Sequence, residues 1–338
     1  MKVGMVVRDD NGGLGNLTYD VWRYVRPAVT VVVQVRPCRG QPHPAQFEEA
    51  WTKTFTMPNP MSRRDWRRVA AEADVWWTAE TWYCAEAEQV IREAGAQSVL
   101  YAMPELFSGS EADAIWNPTD YLMDKMPERT EVVQMPIRLT DRWEPRTKVR
   151  RILHISGGAQ YDRNGTTLLL DALRKVREPC EVLFHQPDTL HWLSNKDLRG
   201  LPKEVQVRVT RDYVDGMGSL YKWADLLVLP RRYAGLCLPA FEAFSHGLPV
   251  MMPDTDPQSS WPIIPVDAVN ERPARMKGGR VPMVSTDPVN LARRLESVLT
   301  ADVHWVVRES ERVRSWAEAH TWQQLGPIWR QQFDRLGS

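Results

Sequence analysis

Between Ala224 and Asp256 the chain reads ADLLVLPRRYAGLCLPAFEAFSHGLPVMMPDTD, and its residue types suit the binding of a phosphate-bearing ligand. Leu226 to Leu229 is a short apolar strand of the kind covered on both faces in a parallel sheet. A loop follows (Arg231, Arg232, Tyr233, Ala234, Gly235, Leu236, Cys237), then a helix expected over Ala240 to His246, with Gly247 where a left-handed cap is wanted. A loop entering a helix offers free backbone N–H groups and the positive end of a helix dipole to an anion. Arg231 and Arg232 add guanidinium groups whose fork matches phosphate oxygens. Glu242 falls near the start of the helix, in reach of a ribose diol. Diphosphate on the loop and ribose on Glu242 would make a nucleotide site; a plain strand-loop-helix unit with a solvated Glu242 is the other reading.

Two further stretches carry polar groups at strand ends, where ligands of open α/β sheets bind. Val3 to Val7 runs into Gly12, Gly13 and Gly15; as a dinucleotide fingerprint this lacks its third glycine, at Thr18. Glu80 and Glu105 each follow an apolar strand (Asp74 onward, and Ser98 to Ala102) and are candidate catalytic carboxylates, or else helix caps or ion-pair partners. In the second half, Arg151 to Ile155 enters a glycine turn, and Asp162-Arg163-Asn164-Gly165 precedes a helix expected over Thr166 to Arg177. Arg163 is the cation nearest to Asn164-Gly165.

Strand, glycine turn and helix recur in both halves, which predicts an α/β chain of two Rossmann-like domains. The expected boundaries are 1–140 and 150–320, with the polar stretch 138–150 as a linker and a last helix, 321–334, packing back on the first domain. Val132 to Ile137 is expected to close the first domain, Thr119 to cap a helix, and Pro/Gly-rich sequence to run on to Gly279.

The 43 basic and 43 acidic residues cancel, so charge alone does not point to a polyanion. Arg63 to Arg68 is the densest basic cluster of the first half; with Trp66 among the arginines it would suit a nucleic-acid backbone and a stacked base, or be a solvated helix face. The four cysteines are scattered, which argues against a zinc site or a disulfide scaffold. No apolar run is long enough for a signal peptide or a membrane span, so a soluble, cytoplasmic protein with no membrane partner is expected.

Gly235-Leu236-x-Leu238-Pro239-x-x-Glu242-Ala243, then Gly247-x-Pro249-Val250, resembles the donor-site signature of retaining GT-B glycosyltransferases of the family-four kind. In character the chain is similar to those encoded by actinobacterial phages. The resemblance implies the GT-B fold, two facing Rossmann-like domains with a cleft between them. It also implies metal-independent transfer of a hexose, with retention, from a nucleotide sugar such as a UDP-sugar. Gly12, Gly13, Gly15, Arg163, Arg231, Arg232, Gly235, Leu236, Cys237, Leu238 and Glu242 would bind the donor, with Glu80, Glu105 and Arg163 near the chemistry. Ala234 stands where the family has a glutamate, and Gly157-Gly158 and Asn164-Gly165 where it has Gly-Arg and Lys-Gly. The acceptor hydroxyl is open; a hydroxymethylated pyrimidine in double-stranded phage DNA is one possibility, a glycan, protein or small molecule another. A non-catalytic nucleotide-sugar or nucleic-acid binding module is the competing class.

Overall fold

A computed structural model describes residues 1–10, 12–35, 47–156, 162–186, 193–211, 218–233, 235–276 and 279–337. The chain divides into two compact units: Met1–Pro136 with Met276–Gly279 and Trp322–Ser338, and Ile137–Arg275 with Arg280–Thr321.

The first unit is built on β1 (Val3–Arg8), α1 (Gly13–Val25), β2 (Val29–Gln34), β3 (Lys53–Pro58), α2 (Arg63–Val69), β4 (Val75–Ala79), α3 (Ala87–Glu93), β5 (Gln97–Tyr101), β6 (Ala114–Asn117) and β7 (Thr130–Val132). Its seven strands lie in the order β3-β2-β1-β4-β5-β6-β7, every pair parallel. The central strands β1, β2 and β4 are buried almost throughout, which explains why they read as unbroken apolar runs rather than alternating ones. Trp22, Trp66, Trp76, Trp77 and Trp116 are all in the interior. Trp66 thus belongs to the core and gives the α2 arginines no exposed aromatic, a correction to the stacking expectation. Ser62 caps α2 in a reciprocal capping box with Asp65, which accounts for that helix starting among charged residues.

No helix begins at Thr119. Its hydroxyl accepts from the Tyr121 amide, a local side-chain turn, and only a single 3₁₀ turn (Met123–Lys125) follows. The strand expected at 132–137 is displaced: β7 spans Thr130–Val132, and of the later residues Ile137 makes only an isolated bridge, to Thr321.

The second unit contains β8 (Arg151–Ile155), α4 (Thr166–Leu173), β9 (Cys180–His185), β10 (Val205–Thr210), α5 (Gly218–Trp223), β11 (Leu226–Val228), α6 (Leu238–Ser245), β12 (Val250–Pro253), β13 (Ile264–Val266), β14 (Val269–Met276), β15 (Gly279–Ser285), α7 (Pro288–Leu299) and α8 (Val303–Ala319). Six strands form a second all-parallel sheet, β10-β9-β8-β11-β12-β13. The segment up to Gly279 is not a loop: β14 pairs with β15 in a separate two-stranded sheet. Its buried residues are few, so the apolar pattern was too weak to reveal it.

The polar stretch 138–150 is no free linker either. It forms no helix or strand, yet Arg146 donates to the carbonyls of Tyr221 and Ala224 (both 2.9 Å) and its amide to Ser310 Oγ (3.0 Å). The stretch is therefore fastened to the second unit. The terminal helix α9 (Trp322–Leu336) belongs to the first unit: Trp329 lies against Trp77, Tyr101 and Trp116, and its indole N–H donates to the Gln134 carbonyl at 2.9 Å.

Candidate functional site

In the second unit the loop after β11 and the turn before α4 form one knot. The Arg232 amide donates to the Arg163 carbonyl at 2.8 Å, and the Arg163 guanidinium lies 5.1 Å from the centre of the Tyr233 ring while its Nε reaches the Tyr233 carbonyl at 3.3 Å. Gly165, at φ +72°, approaches Pro230 so closely that a Cβ would fall 2.2 Å from the proline carbonyl oxygen. Only glycine meets both conditions. Arg163, Arg231, Arg232, Leu236 and Cys237, far apart in sequence, are thereby held together, with Gly235 in the same loop and Leu238 opening α6.

The roles within the knot differ from the expectation of two outward cations. Arg231 is 5% exposed. Its two amino groups donate to Asn164 Oδ1 (2.9 Å) and to the Leu236 carbonyl (2.8 Å), so it braces the loop instead of meeting solvent. Arg232 is ion-paired with Glu271 of β14, and its carbonyl accepts from the Val284 amide of β15 at 2.8 Å. The small sheet is thus a support for the loop, a function hidden from sequence reading because the strand itself was. The Cys237 thiol is buried, and the Cys237 carbonyl accepts from the Ala240 and Phe241 amides to start α6. Pro239 in the first turn has no N–H to leave unsatisfied.

Glu242 is half-buried on α6, and the Tyr221 hydroxyl donates to its Oε2 at 2.5 Å. Burial, with the Glu242 carboxylate beside it, holds the Tyr221 hydroxyl well above its ordinary pKa, so the phenol remains a donor. His246 Nδ1 lies 2.8 Å from the Glu242 carbonyl, and burial keeps this imidazole below its usual pKa. His154 is enclosed between the Val228 carbonyl (2.8 Å from Nδ1) and Thr166 Oγ1 (2.9 Å from Nε2), with its pKa pushed down to about 4 by burial. It joins β8, β11 and α4 under the knot. His185 at the end of β9 is inside the fold with Nδ1 3.0 Å from Thr210 Oγ1. Ala234, Gly157 and Gly158 lie outside the described residues.

The first unit gathers a second polar group at the ends of β1 and β4. Arg8 is ion-paired with Asp10, with Tyr83 and Glu80 close enough to act on its charge. Burial opposes the Arg8 charge, but Tyr83, Asp10 and Glu80 outweigh it and hold the guanidinium above its ordinary value. Tyr83 is raised far above its own, by burial and then by Glu80 and Asp10 against the pull of Arg8. Glu80 and Tyr83 both have left-handed backbone (φ +62° and +58°), a conformation that costs energy outside glycine and clusters at functional sites. Asp10 is buried beneath the glycine turn; a Cβ on Gly15 would come within 1.9 Å of the Asp10 carbonyl oxygen. Gly12 precedes α1 and Gly13 opens it.

Sequence reading placed Glu80 here but missed Arg8, Asp10 and Tyr83. The signal for the first two is Arg8-Asp9-Asp10 directly after an apolar strand. Glu105, the other carboxylate expected to face a ligand, is enclosed at 1% exposure. Among the described residues no three His, Cys, Asp or Glu side chains are placed to hold a metal ion, and no helix is long and apolar enough to cross a membrane.

Residues 150–264, which contain the knot, α5 and Glu242, match the family model of glycosyl transferases group 1. Among solved structures the chain is similar to Anabaena Alr3699/HepE in complex with UDP and glucose, with 13% identity, TM-score 0.68 and coverage of 100% of this chain and 99% of that one. It is also similar to the Thermosynechococcus elongatus sucrose-phosphate synthase tll1590 (14% identity, TM-score 0.64, 99% and 100% covered). A Rickettsia africae glycosyltransferase gives 12% identity, TM-score 0.68 and coverage of 99% and 98%. The fold is GT-B. In GT-B terms the first unit is the amino-terminal Rossmann-like domain and the second the carboxy-terminal one. No curated protein matches the sequence.

Proposed function

We propose that the chain is a retaining glycosyltransferase that takes a hexose from a UDP-sugar without a metal ion and places it on a hydroxyl acceptor. The observation that carries this reading is the knot of 163–165 with 230–237 beside Glu242, inside the segment that matches the glycosyl transferases group 1 model. The UDP-bound and UDP-glucose-bound structures of similar fold support the choice of nucleotide.

In this reading Glu242 accepts hydrogen bonds from the ribose, and Gly235, Leu236, Cys237 and Leu238 present backbone to the diphosphate. Arg163 and Arg232 supply positive charge at the loop. Breaking the bond between the anomeric carbon and the diphosphate oxygen sends its electron pair to the diphosphate, where cations and N–H groups stabilise the charge that develops. The acceptor oxygen forms the new bond on the same face of the sugar and gives up its proton to the departing diphosphate oxygen. Glu80, with Arg8, Asp10, Tyr83 and the Gly12-Gly13-x-Gly15 turn, is the first unit's set for the sugar and acceptor; Glu105 is a supporting residue there.

A hydroxymethylated pyrimidine in duplex DNA is the acceptor we would test first. Arg64, Arg67 and Arg68, exposed along one face of α2, support a phosphate-backbone contact, while Trp66 contributes no stacking. Incubation with UDP-glucose and a hydroxymethylcytosine duplex should release UDP and add a hexose mass to the strand. Release of UDP into water alone would leave the donor half of the reading and redirect the acceptor search to glycans. No release with any nucleotide sugar, despite binding, would favour the non-catalytic module.

A further inference from the structure

The carboxylate proposed to hold the ribose is itself held by a buried tyrosine. Tyr221 is completely buried on α5, and its hydroxyl donates to Glu242 Oε2 at 2.5 Å. The helix that carries it is anchored at its carboxyl end: the Arg146 guanidinium donates to the Tyr221 and Ala224 carbonyls. The Tyr221 ring lies 5.3 Å from the His246 ring at an interplanar angle of 34°. His246 in turn sits on the main chain of Glu242, its Nδ1 2.8 Å from the carbonyl. Side chain and main chain of Glu242 are therefore both held by aromatic residues, the buried Tyr221 and the half-buried His246.

From this geometry we infer that Tyr221 is the positioning residue for Glu242, and that it sets how strongly the site distinguishes a ribonucleotide from a deoxyribonucleotide. The inference rests on the reading of Glu242 as the ribose ligand. A free glutamate loses side-chain freedom when it binds a diol. One already locked by a buried phenol loses little, so preorganisation appears as affinity for the hydroxyls alone. With Oε2 engaged by Tyr221, the diol must approach in one orientation, which makes each hydroxyl's contribution large.

The test pairs a protein change with a ligand change. Affinities of UDP and 2′-deoxy-UDP, with GDP and ADP and their deoxy forms alongside, would be measured calorimetrically for the unaltered protein, Glu242→Ala and Tyr221→Phe. The unaltered protein should prefer UDP by about tenfold or more, the scale of a hydrogen bond to a charged group. Glu242→Ala should abolish that preference. Tyr221→Phe should weaken UDP several-fold while 2′-deoxy-UDP hardly changes, so that the ratio collapses; a merely structural role would lower both equally. Glu242→Asp, which withdraws the carboxylate from an intact Tyr221, should give the same collapse, and covers a Tyr221→Phe protein that fails to fold. A Tyr221→Phe or Glu242→Asp protein with the full ratio would overturn the inference while sparing Glu242 as ribose ligand. A Glu242→Ala protein that keeps the ratio, or no binding of any of these nucleotides, would overturn both.

Discussion

The main-chain bond from Arg232 to Arg163, 2.8 Å between amide and carbonyl, joins two segments about seventy residues apart into a single loop surface. It is the contact by which the turn before α4 and the loop before α6 become one structure. Gly165 lets the two backbones meet, Asn164 and Arg231 cross-link them, and the β14–β15 sheet backs Arg232. The knot depends on backbone and buried side chains, so its failure should be sharp.

Gly165→Ala is expected to cost about 2–4 kcal/mol, combining left-handed strain with collision against Pro230. Urea unfolding measures it. A change under roughly 0.5 kcal/mol, within the range of ordinary surface substitutions, would show that the two segments do not need their close approach.

Arg163→Ala should raise the KM for the nucleotide sugar about tenfold or more while leaving the urea midpoint nearly unaltered, because its stacking on Tyr233 is partly exposed. Initial-rate kinetics over donor concentration decide this. An unchanged donor KM would remove Arg163 from the diphosphate site.

Trp329→Ala should destabilise the first unit by about 3–5 kcal/mol, since it empties a site ringed by Trp77, Tyr101 and Trp116 and leaves the Gln134 carbonyl without its donor. Loss of the protected tryptophan signal at lower urea, with the second unit melting as before, is the expected pattern.

His154 predicts an acid limb in stability. Its folded pKa, about 4, lies below the roughly 6.5 of an unfolded histidine, so between those values the unfolded chain binds the extra proton. Stability therefore falls as pH drops from about 6.5 towards 4, by up to about 3 kcal/mol from this one group. His154→Asn, compared with the unaltered protein by urea unfolding at pH 7 and pH 5, should show a smaller pH dependence. Equal pH dependence in both would contradict it.

The parallel sheets were legible because their central strands are buried on both faces and therefore read as largely apolar runs without polar alternation. The loop-helix unit around Glu242 was legible for a similar reason: its glycines and prolines punctuate it strictly. What escaped lacked such a pattern. β14 is mostly exposed and carries a proline, so neither alternation nor an apolar run marks it. Trp66 sits among five charged residues, and only the capping box and the turn of α2 show that it points inward. Arg231 was read by its charge, whereas its burial follows from Asn164, a partner nothing in the local sequence announces. The Arg8, Asp10, Glu80 and Tyr83 group required two neighbouring strands to be aligned before its members could be seen together.

Glu242 and the knot beside it are proposed to hold a nucleotide sugar. Thermal-shift titration of UDP, UDP-glucose and other nucleotide sugars against the unaltered protein and Glu242→Ala tests it most directly. A saturable rise in Tm with one donor, greatly reduced in Glu242→Ala, is the predicted result. The same rise in both proteins, or none with any nucleotide sugar, would contradict the claim.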